Sequence, residues 1–535
     1  MNKQVFVSHR PVVMGTNWMI TSGHPLASQA GAVILERGGQ AIDAAIAANA
    51  VLCVVRPHMC GLGGDAFIIF YQAKDKKVEV LNASGRSPFA ATREFYVEQG
   101  FKNIPERGIL TATVPGVVDG WVAALEKYGS IPLTELLQKA ILYAEKGFPV
   151  YKELSQVIAQ EAELLQKSPD AARIFLKNGR PPQVGELLVQ PELAASFKKI
   201  AREGRKVFYE GEIAEAIVNF SREVGGLFSE RDLIEHRATW VSPIETTYRG
   251  YRVLANPPNS QGVALLMQLN MIENFDLKKL GHNSADYVHL LVEAKKLAFA
   301  DRDRYVGDPD FHPVPIEKMI AKEYGFRQSS RIDFNKAASV VSPTEFSIGG
   351  GDTIYLAVVD KEGNAVSMIQ SLYEAFGSGV VVKGTGILLH NRGRGFNLEA
   401  NHPNCLQPHK RPYHTLSPCL VMKDDLPFMV LGTPGADGQT QTITQVLANF
   451  IDFGADIQEA IEAPRWRSFP GTRLAIEDRF PAEVFEKLKS KGHELEILPA
   501  YSAVCGGAQG IILDHKNGVL MGGADPRRHG YVIGS

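Results

Sequence analysis

Thr353 is the residue whose neighbours first suggest a nucleophile. It follows Gly349-Gly350-Gly351-Asp352 and opens the apolar stretch Ile354-Tyr355-Leu356-Ala357-Val358-Val359. A threonine set free as the first residue of a chain carries its own base. Its α-amino group, with a reference pKa of about 7.7–8.0, is partly unprotonated near neutral pH and takes the hydroxyl proton. That chemistry requires a cut between Asp352 and Thr353, and the glycines give the backbone freedom for the hydroxyl to reach the Asp352 carbonyl. The same residues also describe an ordinary β-branched residue that starts a strand after a loop. Spacing alone leaves both readings open.

Other catalytic devices are missing from the sequence. There is no GxSxG elbow, no HExxH helix and no Walker loop. No grouping of His, Cys, Asp and Glu has ligand spacing, so neither a metal nor a cofactor is expected. The five cysteines, Cys53, Cys60, Cys405, Cys419 and Cys505, are odd in number and scattered, which predicts reduced, buried thiols. Gly61-Leu62-Gly63-Gly64 precedes a strand-like run, Ala66–Tyr71, whereas a dinucleotide loop follows its strand. Tight packing of helix on strand accounts for these glycines.

The elements that would position Thr353 are legible in outline. Thr353–Asp360 and Ala365–Ile369 flank the turn Lys361-Glu362-Gly363-Asn364 and predict a hairpin. Ala41–Leu52 is apolar on nearly every side, the mark of a helix in the interior of a layered domain. Residues from about 131 to 237 are charged and helical in period and predict a helical section wrapped on the core. A further amphipathic helix runs through Val288, Leu291, Val292, Leu297 and Ala298. The polar stretch 335–351 predicts a flexible connector.

Length and composition bound the rest. At about 150 residues per domain, 535 residues suggest three or four domains. The chain is 45% hydrophobic and 22% charged, ordinary for a globular protein. Its 57 basic and 59 acidic residues nearly cancel, so no global field draws it to nucleic acid or to an anionic membrane, and a small molecule is the expected partner. No apolar run nears the ~20 residues of a membrane span. Met1–Thr16 does not read as a secretory signal, which points to the cytoplasm.

Several motifs, in order, resemble the γ-glutamyltransferase (γ-glutamyltranspeptidase, glutathione hydrolase) family. Gly38-Gly39-Gln40-Ala41-Ile42-Asp43, Gly61-Leu62-Gly63-Gly64, Val114-Pro115-Gly116-Val117 and Ala300-Asp301-Arg302 are similar to its large-subunit motifs. The segment from Thr353 to Ser367, Phe376-Gly377-Ser378-Gly379, Lys410-Arg411-Pro412, Gly432-Thr433-Pro434-Gly435 and Ala524-Asp525-Pro526-Arg527 are similar to its small-subunit ones. The resemblance implies an α+β, N-terminal-nucleophile (Ntn) hydrolase fold, a four-layer αββα sandwich, in place of three or four separate domains. It further implies a proenzyme that cuts itself before Thr353. Residues 1–352 would form the large subunit and residues 353–535 the small one, held as a heterodimer able to dimerise further. Thr353 and Ser371 would be catalytic, and the main-chain N–H groups of Gly435 and Ala436 would form the oxyanion hole.

At the substrate end the sequence departs from the family. The resemblance places Arg86, His414 and Thr415 around a substrate carboxylate. Where the family grips an α-ammonium, Tyr373, Arg392 and Gly395 stand instead, so no acid is expected there, and Arg394 adds positive charge. The branch of the family with such sites implies a γ-glutamyl amide hydrolase or transferase, or alternatively an amidohydrolase of a small carboxylate-bearing amide (oxamate type) or a cephalosporin or glutaryl acylase. An unprocessed, non-catalytic binding protein is the reading from another class.

Overall fold

The apolar alternation of the strands builds two facing sheets. The computed structural model describes residues 6–340 and 352–535, so the glycine run ahead of Asp352, and with it most of the expected flexible connector, lies outside the described residues.

The first sheet has seven antiparallel strands in the order Tyr531–Gly534, Met19–Ser22, Asp352–Val359, Ala365–Tyr373, Asp65–Gln72, Lys77–Ala83 and Thr239–Val241. The second, also seven-stranded, runs Val13–Gly15, Val519–Ala524, Gln509–Asp514, Leu426–Gly432, Cys419–Lys423, Tyr251–Ala255 and Ile244–Tyr248. Both sheets interleave strands from before and after residue 352. Neither of these two sheets is completed by one part alone.

Side chains alternate along each strand and so divide the core into layers. Tyr355, Ala357 and Val359 join Phe67, Ile69, Tyr71 and Ile369 in a cluster with Leu254, Leu420, Val430 and Ile511 of the second sheet. Ile354, Leu356 and Val358 point the other way, into the cluster formed with the helix Ala41–Val55. That helix is buried along its whole length, as its sequence predicts. On the far side, Gly262–Ile272, Ala285–Tyr305 and Gly438–Ile451 cover the second sheet. The order is helix, sheet, sheet, helix, the αββα sandwich that the resemblance implies. The elements from Leu133 to Ile234 are helices apart from a short ribbon, Phe148–Pro149 with Leu187–Leu188.

The glycines before Asp65 are packing residues. A Cβ on Gly64 would stand 2.5 Å from the Ser371 carbonyl oxygen, and one on Gly63 would stand 2.2 Å from that of Leu388. Their absence lets the chain after the buried helix lie directly on the strand that carries Ser371. All five cysteines are free and buried.

Candidate active site

The site forms where three inter-sheet rows turn polar. Continuing the alternation of Tyr355-Ala357-Val359, Ile369 and Phe67-Ile69-Tyr71 by two residues reaches Thr353, Ser371 and Asp65 on adjacent strands. Ser371 and Asp65 are register partners. The register slips between Asp352 and Ile354, a bulge that falls on Thr353 itself; such irregularities re-aim a side chain at a strand end.

Thr353 is 1% exposed. Its hydroxyl donates to Ser371 Oγ at 3.2 Å, and Ser371 Oγ accepts the Tyr373 amide at 2.7 Å. Tyr373 has φ of +81°, a left-handed value for a residue with a side chain. Holding such a residue costs of order 1–3 kcal/mol and persists where the surroundings enforce it. Here that backbone turn accompanies the amide bond back onto Ser371. The resemblance-based pair, Thr353 and Ser371, is therefore in contact.

Asp65, wholly buried, is the hub beside this pair. Its Oδ2 accepts Arg392 Nε at 2.9 Å and His414 Nε2 at 2.9 Å, with His390 Nδ1 at 3.2 Å, while Oδ1 accepts the Gly85 amide at 3.0 Å. Burial alone would push this carboxyl up, but His390 and His414 outweigh it and hold Asp65 well below the usual carboxylate range. Burial, and then the Arg392 charge, lower His414 to about 3. His414 is therefore neutral. It gives Nε2–H to Asp65, and Nδ1 accepts the Leu416 amide at 3.3 Å.

Arg392 opens the short 3₁₀ turn Arg392–Gly395 and is itself fully buried. Its guanidinium carbon lies 4.3 Å from the centre of the Tyr373 ring. Asp65 engages Nε, whereas Nη1 and Nη2 are buried with no hydrogen-bond partner. Two unpartnered NH2 groups on a buried cation are costly unless an anion completes them. The Thr415 hydroxyl is likewise buried and unpartnered.

The expected oxyanion turn is shaped by backbone angles. Gly435 has φ of +132° and Ala436 of +49°. The following helix, Gly438–Ile451, starts with Gly438 N bonded to Gly435 O at 2.8 Å and Gln439 N to Ala436 O at 3.0 Å. Gly432, just before the turn, packs on Tyr355, where a Cβ would come within 2.2 Å of the ring. Gln261 braces the turn, donating Nε2 to Ala436 O at 3.0 Å and to Thr415 O at 2.6 Å. Its Oε1 accepts Arg302 Nη1 at 3.1 Å and the Tyr413 hydroxyl at 3.2 Å; both donors also reach Asp437 Oδ1, at 2.8 and 3.1 Å. Arg302 comes from the Ala300-Asp301-Arg302 motif, so its motif arginine supports this turn across the two parts of the chain.

Several expectations need correction. Arg86, expected at the substrate carboxylate, gives Nη1 to Asp308 at 3.3 Å and the His409 carbonyl at 3.2 Å, and Nη2 to Asp310 at 2.8 Å. Its fork faces acids on a different loop. His414 was expected to donate to that carboxylate too, but both its nitrogens are engaged internally. Arg394 adds no unbalanced charge, since it pairs with Glu374 and with Glu106. Nor is the region free of acids: Asp65 and Glu374 are both buried in it. Gly395 contributes its carbonyl to Asn404 Nδ2.

The expectation that no metal-type grouping exists also needs qualifying. His289 and Glu293, one turn apart on the helix Ala285–Tyr305, meet His493, with one possible ligand atom of each within 4.8 Å of the others. Glu293 is already satisfied there by Lys296 Nζ at 2.7 Å and the Ala338 amide at 3.2 Å. Among the described residues, no helix is long and apolar enough to cross a membrane.

Comparison with known proteins matches this geometry to a family. The gamma-glutamyltranspeptidase family model covers residues 27–535. The glutathione hydrolase-like YwrD proenzyme of Bacillus subtilis is 44% identical over 530 residues, spanning 98% of this chain and 99% of the relative. The oxamate amidohydrolase proenzyme of Klebsiella pneumoniae is 37% identical over 532 residues, spanning 97% and 99%. Among solved structures, a cephalosporin acylase from Bacillus halodurans has a TM-score of 0.93 at 38% identity, covering 100% of this chain and 99% of that one. With the αββα layers and a threonine–serine pair at the end of a central strand, these matches show that the chain belongs to the gamma-glutamyltranspeptidase family of Ntn amide hydrolases.

Proposed function

We propose that the chain cuts itself between Asp352 and Thr353 and then hydrolyses amides whose acyl group bears a carboxylate but no α-amine. In the first step Thr353 Oγ1 attacks the Asp352 carbonyl, the acyl group passes from nitrogen to oxygen, and water hydrolyses the resulting ester. The products are a chain of 352 residues and one holding the remaining 183 of the 535. Interleaved strands keep them together as a heterodimer.

In turnover the freed α-amine of Thr353 takes the hydroxyl proton as Oγ1 attacks the substrate carbonyl. The Gly435 and Ala436 N–H groups receive the developing oxyanion, a contribution whose loss typically costs about 10²–10³ in rate. The same amine returns the proton to the departing nitrogen, and water or an acceptor amine releases the acyl group from Thr353. Ser371, bonded to Oγ1, orients the attacking hydroxyl.

The observation that carries the substrate class is the pair of free Nη groups on buried Arg392. A guanidinium fork matches a carboxylate bidentately and repels an ammonium. Thr415 supplies a further donor, and the Tyr373 ring flanks the fork. Oxamate and glutaryl amides have such acyl groups, and two of the relatives are named for oxamate and cephalosporin substrates. A second reading, hydrolysis of γ-glutamyl amides, draws on the name of the 44% identical relative.

Kinetics on the processed enzyme separate the readings. Glutaryl-p-nitroanilide and oxamate should give higher kcat/KM than γ-glutamyl-p-nitroanilide. The reverse order would overturn the proposed substrate class.

A further inference from the structure

Asp65 lies across from Ser371 in the sheet and contacts the one buried cation of the cluster with free N–H groups. We infer that Asp65 is the positioning residue that sets acyl specificity: by holding Arg392 through Nε alone, it leaves the two Nη groups turned to a substrate carboxylate. This inference rests on the substrate reading above and assigns the discrimination to a residue that the chemistry of Thr353 does not use.

The geometry of the guanidinium carries the argument. It has five N–H groups in a fixed plane, and the Nε–H lies on the side edge, apart from the end-on edge formed by Nη1 and Nη2. Capture at Nε fixes the plane while leaving the Nη pair without an internal partner. Tyr373, 4.3 Å from the guanidinium carbon, limits tilting of that plane. Asp65 is itself fixed from other elements by the Gly85 amide and by His414, with His390 beside it. It therefore has little capacity left to receive a substrate ammonium. The groups facing Asp65 are Arg392, His390, His414 and the Gly85 amide, and Glu374, the other buried acid, is engaged by Arg394 and Asn391, so the site takes a carboxylate through Arg392 and offers an α-amine no uncommitted acid.

The arrangement also explains why the two polar residues belong together. Arg392 alone would be a buried, unbalanced charge. Asp65 alone would be an acid beside the nucleophile, ready to bind an ammonium. Together they are neutral until substrate arrives, with the open donors on the arginine.

The test compares Asp65→Asn, Asp65→Ser, Arg392→Gln and the double variant Asp65→Asn/Arg392→Gln with the unaltered enzyme. Each is assayed on glutaryl-p-nitroanilide and on its methyl ester, after a denaturing gel establishes how far it has self-cleaved. The unaltered enzyme should prefer the acid to the ester. Asp65→Asn should raise KM for the acid roughly tenfold or more, the loss expected for a charge-assisted contact, with little change in kcat. It should leave the ester unchanged, and the double variant should be no worse than Arg392→Gln alone. A merely structural role would instead harm acid and ester alike and add to the arginine loss. That result, or an unchanged acid preference in both Asp65 variants, would overturn the inference while sparing the substrate reading. No acid preference in the unaltered enzyme would overturn both. Should Asp65→Asn fail to fold, Asp65→Ser, which keeps an acceptor for the Gly85 amide, gives the same readout.

Discussion

The Thr353 hydroxyl donates to the Ser371 hydroxyl at 3.2 Å, and the Ser371 oxygen in turn accepts the Tyr373 amide at 2.7 Å. One atom of Ser371 therefore links the nucleophile to the residue that flanks Arg392. In the proposed mechanism, chemistry at the acyl carbon and recognition of the acyl group share a single short stretch of strand, Ser371 to Tyr373.

Replacing Ser371 with Ala removes the acceptor from Thr353 and leaves the buried Tyr373 amide without this partner. Self-cleavage and turnover should both slow, by roughly 10–100-fold, the range for loss of one orienting contact at a reacting group. A time course on denaturing gels, with steady-state kinetics on the processed fraction, checks this. Cleavage and turnover at the unaltered rate would remove Ser371 from the mechanism.

Gln261→Ala unties Ala436 O and Thr415 O from the Arg302–Tyr413–Asp437 network. The turn keeps its own N–H donors but loses its brace. We expect kcat to fall roughly tenfold, short of the 10²–10³ that follows loss of an oxyanion donor itself, with KM little changed. A change confined to KM would instead place Gln261 in ground-state binding.

Arg392→Lys keeps the charge and removes the planar fork, so it separates geometry from charge. KM for glutaryl-p-nitroanilide should rise by about tenfold, and γ-glutamyl-p-nitroanilide should gain nothing. An unaltered KM would show that a point charge suffices.

Acid should destabilise the protein from about pH 6.5 downward. Burial is the first cause of depression in His24, His414 and His493, each of which is lowered to about 3. The unfolded chain binds protons at these histidines near 6.5 and the folded chain does not. Their contribution is fully present above pH 6.5 and is lost as pH falls toward 3, at up to about 1.4 kcal/mol per pH unit for each. Thermal melting from pH 7.5 to 5 should show a steady decline in Tm. A flat profile would contradict the neutral, buried state of these imidazoles.

The sheet that carries Thr353 was legible because its pattern is local. Odd and even residues of Thr353–Val359 form the two faces of one strand, and the all-apolar Ala41–Val55 helix has no solvent face to confuse with a core face. The recognition cluster was not legible, because Asp65 meets Arg392 and His414 across 327 and 349 residues of sequence. In the sequence Asp65 is simply the polar residue after a glycine loop. The internal partners of Arg86 and His414 were hidden for the same reason: Asp308, Asp310 and Asp65 reach them from distant segments. The useful signal was the polar end of an apolar row, since Asp65 lies two residues before Phe67 just as Thr353 lies two before Tyr355.

Intact mass with N-terminal sequencing of the purified protein shows whether Thr353 becomes the first residue of a second chain. Two chains are expected, near 39 and 20 kDa at about 110 Da per residue, the smaller beginning Thr353-Ile354-Tyr355, with a single uncut, inactive chain for Thr353→Ala. A fully active protein that remains one chain, or a second chain that begins at any other residue, would contradict this expectation.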